Sequence, residues 1–180
     1  GGSFVIDLND ALATAWGNNS INGKVNHKKS EFSLNYGISH RDFYGMWRDN
    51  EEHFSFADGS TLVRKEVGDR GHGELYWQNL NATYSFQEPD KMMFNATVRY
   101  YTNNQRHWDY KGVLYNVAYP EDKVNMIDRA ANKTHRPALD LYYQQNLKND
   151  HTLALNVVGT YNYADETRIY RESREEDILT

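Results

Sequence analysis

The sequence predicts an all-β fold: an antiparallel meander of long strands forming a partial, open transmembrane β-barrel. Three observations carry this. Apolar residues alternate with polar ones, as in Leu80, Ala82, Tyr84 and Phe86 against Asn79, Asn81, Thr83 and Ser85. That period of two marks strands with one greasy face. The polar face is mostly amides and hydroxyls, with few charges. Finally, short and long connections follow one another in strict order.

Seven strands are expected, taken in turn from the sequence. Residues 3–17 ("SFVIDLNDALATAWG") read as the first, with Gly17 to Ser20 as its turn. Residues 21–28 form a shorter second strand. Residues 31–44 form the third, alternating through Phe32, Leu34, Tyr36 and Ile38. Residues 74–86 and 92–104 are the fourth and fifth. Residues 137–145 are the sixth, with Pro137 at the first position, where proline is tolerated. Residues 151–164 are the seventh, and Gly159 within it suggests a bend or a close approach. The tail from Asp165 is strongly charged.

Apolar matching sets the expected registers. Phe86 opposite Phe94 places Tyr84 by Ala96, Ala82 by Val98 and Leu80 by Tyr100. His27 opposite Phe32 places Val25 by Leu34 and Ile21 by Ile38. Gln145 opposite His151 places Tyr143 by Leu153 and Leu141 by Leu155. A slip of one residue would turn every side chain to the wrong face.

The connections "KKS", "EPDKM" and "NLKND" are short, whereas residues 45–73 and 105–136 are read as long, charged loops. Alternate connections of an antiparallel meander lie at opposite ends, so the short turns share one end. Outer-membrane barrels have that asymmetry. A neutral polar face suits a barrel lumen, where a charge would lose solvation. The apolar face then meets lipid. Tyr76, Trp77, Tyr100, Tyr101, Tyr161 and Tyr163 toward one end, and Phe86, Phe94 and Tyr143 toward the other, resemble two interfacial girdles. A soluble β-sandwich gives the same alternation and is the bland alternative.

Composition narrows the classes. The chain has 180 residues, enough for one domain, and no run of about 18 apolar residues, so no helical span is expected. A net charge of −5 argues against a nucleic-acid binder, because phosphate contacts call for a basic surface. Absence of cysteine removes disulfides, thiolate metal sites and cysteine nucleophiles. No signal peptide is recognisable at "GGSFVIDLND".

The stretches "GGSFVIDLNDALATAWGNN", "NHKKSEFSLNYGISHRDFY", "YSFQEPDKMMFNATVRYY" and "LDLYYQQNLKNDHTLALNVVGTYNY" span nearly the whole chain. Together they resemble the start of the barrel in TonB-dependent receptors of the Bacteroides type. The motifs are structural, and none is a catalytic signature. The resemblance implies a fragment of a 22-stranded barrel, lacking the signal peptide, the plug and the N-terminal region for the energy-transducing partner. It implies residence in the bacterial outer membrane, contact with its lipid, coupling to the TonB complex through the missing part, and import of a scarce nutrient. The nutrient classes are siderophores, cobalamin, glycans and peptides. No enzymatic role and no cofactor are implied. The competing readings are a soluble β-rich binding module of the carbohydrate type and a self-contained eight-stranded barrel.

Candidate ligand-binding residues are Trp47, Trp108 and Tyr110 in the long connections, with Tyr115 nearby. Exposed rings stack on sugars and flat ligands, although rings that pack a loop together look the same in sequence. His72 and His107 lie near carboxylates but lack metal-ligand spacing, and Asp122, Asp128 and Asp140 form no calcium loop. The charges Arg48, Asp49, Glu51, Glu52, Arg64, Lys65 and Glu66 read as a solvated loop of mixed sign. The glycosylation-type triplets "NNS", "NAT" and "NKT" are chance matches on this reading.

Overall fold

The computed structural model describes residues 1–11 and 15–175. Among them there is no helix, and eleven strands form one antiparallel sheet that does not close into a barrel. The strands are β1 (Gly2–Asp7), β2 (Asp10–Ala11), β3 (Trp16–His27), β4 (Ser30–Met46), β5 (Asn50–Ser55), β6 (Thr61–Asp69), β7 (Gly71–Glu88), β8 (Met92–Asn116), β9 (Tyr119–Asn146), β10 (Thr152–Thr160) and β11 (Tyr163–Ser173). The all-β open meander read from the sequence is what the chain forms. Two compact units divide it: residues 1–40, 76–104 and 133–165 make the first, and residues 41–75, 105–132 and 166–180 the second.

The first unit holds the short turns. Between β3 and β4 the turn is Lys28-Lys29, with Lys28 in the left-handed region at φ 53°. Side-chain bonds from Asn35 to Asn22 and from Ser39 to Asn18 place these residues opposite one another. The register is therefore two residues tighter than His27 opposite Phe32. The β9–β10 register is also displaced by two: Leu155 faces Tyr143 and Leu153 faces Gln145. Both shifts are even, so each side chain keeps its face. They arise because the turns are placed differently from the sequence estimate; Leu147 N–H bonds the His151 carbonyl at 2.7 Å, with Asn149 and Asp150 left-handed. The Phe86–Phe94 register agrees with the Thr83–Thr97 hydroxyl contact at 3.3 Å, a pair that lies directly opposite on that count.

The N-terminal strands differ from expectation. Gly17 to Ser20 is not a turn but part of β3, with Asp10 opposite Gly17 and Asp7 opposite Ser20. Amides hold this ladder: Asn18 N–H bonds the Asn9 carbonyl at 2.8 Å, and the Asn19 side chain accepts from Asn9 N–H and donates to Asp10. Leu12, Ala13 and Thr14 of the expected first strand lie outside the described residues, as do Glu176 to Thr180 of the charged tail. Pro137 lies inside β9 rather than at its start. Its carbonyl accepts from Tyr161 N–H at 3.0 Å, but proline has no N–H to return. The ladder breaks there, at Tyr161-Asn162, between β10 and β11.

The second unit overturns the two long loops. Residues 45–73 contain the rest of β4, then β5, β6 and the start of β7, while residues 105–136 are almost wholly β8 and β9. This adds β5 and β6 to the seven expected strands; the division of the first into β1 and β2, and β11 running into the charged tail, bring the count to eleven. The β5–β6 hairpin turns at Ala57-Asp58-Gly59, where Gly59 has φ 84° and Asp58 accepts from both Ser60 N–H and Ser60 Oγ. The β8–β9 hairpin turns at Val117-Ala118. Charge hid these strands: Glu51 lies opposite Lys65 and Glu52 opposite Arg64, so the mixed signs form cross-strand pairs at 3.1 and 3.2 Å. On the β6–β8 side, Arg64 lies opposite Asn116 and Asp69 opposite Lys111. The buried hydrophobic residues, Leu114, Met126 and Ile127, all belong to this unit.

Candidate functional site

Two features stand out, one in each unit. The first is a sheet with two unlike faces. Its apolar face has no covering layer among the described residues: Phe32, Val98, Leu153, Leu155 and Val157 are exposed, and Leu34, Leu80, Ala82, Phe94 and Leu141 are half-buried. None of the buried hydrophobic residues named above lies in this unit. The opposite face is bonded within itself. Ser39 bonds Asn18, Asn35 bonds Asn22, Asn79 bonds Asn35, and Thr83 meets Thr97. Gly37 has a reason here, since a Cβ would meet Asn79 Oδ1 at 2.5 Å.

Aromatic residues cluster toward the limits of this unit. Tyr100 Oη and His135 Nδ1 are 2.6 Å apart, and the His135 ring lies 6.1 Å from both Tyr100 and Tyr163. The Arg136 guanidinium sits 5.9 Å over Tyr101 and donates to Asn162. Tyr84 and Phe94 pack at 6.1 Å nearer the Glu88–Lys91 turn. Apolar rings with polar edges suit a boundary between an apolar medium and water.

The second feature is a charged cavity of about 600 Å³ in the other unit, lined by Arg48, Asn50, Glu52, Arg64, Glu66, Arg168 and Tyr170. Asp128 ties its charges together. It accepts two bonds from Arg168 at 2.8 Å and one from Arg48 at 3.2 Å. Arg48 also donates to Glu66 at 2.9 Å, and Arg64 joins Glu52 to Glu172. Hydrogen bonds from Arg168 hold the Asp128 carboxyl below the usual range, against the opposing effect of burial, with Arg48 adding to the depression. For Arg48, burial works against the charge, but Glu66 and Asp128 outweigh it and raise the guanidinium further. Burial, then the bond to Glu172, pushes Tyr170 up to about 12. Every arginine of the cavity is thus committed to a carboxylate. The arrangement joins the β4–β5 connection to β5, β6, β9 and β11, and its arginines and carboxylates satisfy one another.

Elsewhere in this unit, His72 bonds Asp42 and stacks between Tyr44 at 5.2 Å and His107 at 5.7 Å. A smaller cavity of about 250 Å³ is lined by Arg70, His72, Asp109, Lys111 and Arg129, among others. Among the described residues no group of three metal-ligating side chains converges.

The sequence candidates fall in the second unit but do not form one cluster. Trp47 is 63% exposed in the connection between β4 and β5. Trp108 is half-buried on β8, edge-on to Phe43 at 5.6 Å. Tyr110, two residues on, lies under the Arg48 guanidinium at 4.7 Å. Tyr115 lies 6.0 Å from Lys123 Nζ. Tyr110 alone of the three ligand candidates borders the charged network. Sequence reasoning does not single out Asp128, Arg168 and Tyr170 as a site. The usable signal is Asp58-Gly59: a hairpin centred there brings the acids of "NEEH" against the bases of "LVRK".

No family model, no curated protein and no solved structure matches the chain.

Proposed function

We propose that the chain is part of a bacterial outer-membrane receptor of the TonB-dependent kind, which imports a scarce nutrient of the siderophore, cobalamin, glycan or peptide class. The observation that carries the reading is the bare apolar face of the first unit, backed by a polar face mostly of amides and hydroxyls bonded to one another. A water-facing surface of this kind is rare, because soluble monomers seldom expose more than a few hundred Å² of contiguous apolar area. Lipid explains the first face and a lumen the second. The aromatic residues toward the limits of the unit fit the headgroup region. Strands of 25 and 28 residues, β8 and β9, are also ample for a crossing that takes about 9–11. A soluble binding module would cover the apolar face with a second layer, and the described residues supply none.

Lipid contact is the testable core of this reading. The chain has no cysteine, so single spin labels are clean. Labels on Leu80→Cys and Val98→Cys, in phosphatidylcholine vesicles, should be open to oxygen and shielded from a water-soluble nickel chelate. Labels on Asn81→Cys and Thr97→Cys should reverse that ranking. Equal access of the chelate to all four would overturn the lipid reading.

A further inference from the structure

We propose that the cavity of about 250 Å³ in the second unit binds a small dicarboxylate that carries a hydroxyl group. Its residues come from the interior of the sheet. Arg70 stands between β6 and β7, His72 lies on β7, Asp109 and Lys111 on β8, and Ile127 and Arg129 on β9. Residues two apart on a strand share a face, so β8 and β9 each present a pair to the cavity. β7 is bordered by β4 and β8, β8 by β6, β7 and β9, and β9 by β8, β10 and β11. No sheet edge contributes, and all these residues belong to one unit.

Charge balance distinguishes this cavity from the larger one, where every arginine is held by a carboxylate. Here Arg70, Lys111 and Arg129 face a single lining carboxylate, Asp109. Arg129 Nε donates to Asp109 Oδ2 at 3.2 Å, which settles one positive charge. Among the described residues, the side chains of Arg70 and Lys111 have no hydrogen bond and no ion pair. Asp69, opposite Lys111, turns its Oδ1 back to the Arg70 N–H at 2.7 Å instead. Asp42 is taken by His72. Two cations that line one cavity without a counter-ion repel each other, and a dianion relieves both. Arginine takes a carboxylate through two parallel N–H donors, whereas lysine takes one as a point charge.

Asp109 decides what kind of anion fits. Its Oδ1 is buried and has no hydrogen-bond partner. A carboxylate oxygen beside the site repels a ligand that only accepts, such as sulfate or a plain diacid. A hydroxyl on the ligand donates to it and meets its demand. The last torsion of an aspartate is soft, so the carboxylate can turn to that hydroxyl. Ile127, only 6% exposed, gives the carbon chain an apolar wall. His72, bonded to Asp42 and stacked between Tyr44 and His107, fixes another side. The space lies below the range of drug-sized sites, so the ligand is small.

Binding at the cavity needs neither lipid nor transport, so a negative result here leaves the lipid contact untouched, and the reverse holds too. The test uses the full chain in a non-ionic detergent, folded by circular dichroism, with malate as the probe and titration calorimetry as the readout. Malate should bind saturably. Succinate, the same diacid without the hydroxyl, should bind about tenfold more weakly, the strength of one hydrogen bond to a charged group. Lys111→Gln should weaken malate by about tenfold, and Arg70→Gln, at a more exposed position, by about threefold. Because Arg70 makes no side-chain bond in the fold, that variant serves even if Lys111→Gln unfolds. Lys123→Gln, an exposed lysine of the same unit outside the cavity, should leave the affinity unchanged. The proposal is overturned if the folded parent chain shows no saturable malate binding, or binds succinate as tightly as malate. Equal losses in Lys123→Gln and Arg70→Gln overturn it as well.

Discussion

Asp128→Asn is the substitution that most directly tests whether the charged network organises the second unit. The Asp128 side chain is only 6% exposed and takes three charge-assisted hydrogen bonds, two from Arg168 and one from Arg48. A hydrogen bond to a charged group is worth about 1.5–3 kcal/mol. The three do not add at full value. The Arg168 and Arg48 side chains are 65% and 34% exposed, so both recover water when the carboxylate goes. Asparagine also keeps one acceptor and nearly the same volume. The net expected loss is about 2 kcal/mol. The readout is native-state amide exchange within β6 and around Met126 to Arg129. A loss of about 2 kcal/mol speeds exchange roughly 30-fold there. Acceleration below about threefold would refute the reasoning, since it would mean that Asp128 is satisfied equally well by water.

The same residue sets an acid limb. Its carboxyl is depressed in the folded chain, so its contribution is complete above the unfolded carboxylate value of about 3.9. It is lost as pH falls through the lower, folded value. Removing the charge should flatten that part of the pH profile in Asp128→Asn, leaving the profile above about pH 5 parallel to that of the parent. Two further substitutions probe packing in the second unit. Gly71→Ala places a Cβ 1.9 Å from the Asp109 carbonyl oxygen, a backbone atom that cannot swing away. It should cost about 1–3 kcal/mol by overpacking, while Gly159→Ala, in open space, leaves the single-chain fold unaffected in the same thermal melt. Trp108→Ala should lower the melting temperature measurably, with a loss of about 2 kcal/mol, because its ring packs on Phe43. Trp47→Ala should stay within about 0.5 kcal/mol, and acrylamide should quench Trp47 more strongly than Trp108.

The strands that sequence reading locates are those in which apolar residues alternate: residues 31–44, 74–86 and 92–104 all lie within strands of the structure. Registers are legible where four apolar pairs agree at once, as between Leu80–Phe86 and Phe94–Tyr100. They drift by two residues where a turn admits two placements, because an even shift leaves the face pattern untouched. The rest stays hidden for a definite reason. In β5 and β6 runs of charge, Glu51-Glu52 and Arg64-Lys65-Glu66, replace the alternation of hydropathy, and their meaning appears only when the partner strand is known. Glu52 and Arg64 are ordinary surface charges alone and a pair when opposite. Asp128, within the 28-residue β9, draws its partners from residues 48 and 168, and no spacing rule connects such distant positions.

Strand direction in the first unit limits what its edges can do. From β1 the order runs through β3, β4, β7, β8 and β9 to β10, each neighbour antiparallel to the last. Six reversals bring β10 back to the direction of β1. The two edges therefore cannot join each other in an antiparallel ladder, and an even-stranded barrel needs an odd number of further strands between them. Any further strand must run opposite to the edge that it joins and keep its apolar side chains on the face of Phe4 or Leu155. β1 offers Gly2, Phe4 and Ile6 as its outward-bonding residues, given the Gly1–Asn26 bonds on its inner side. β10 offers Thr152, Ala154, Asn156, Val158 and Thr160, given the Leu147–His151 and Pro137–Tyr161 bonds on its inner side. An antiparallel strand added at β10 therefore gains the longer ladder, and one added at β1 the shorter.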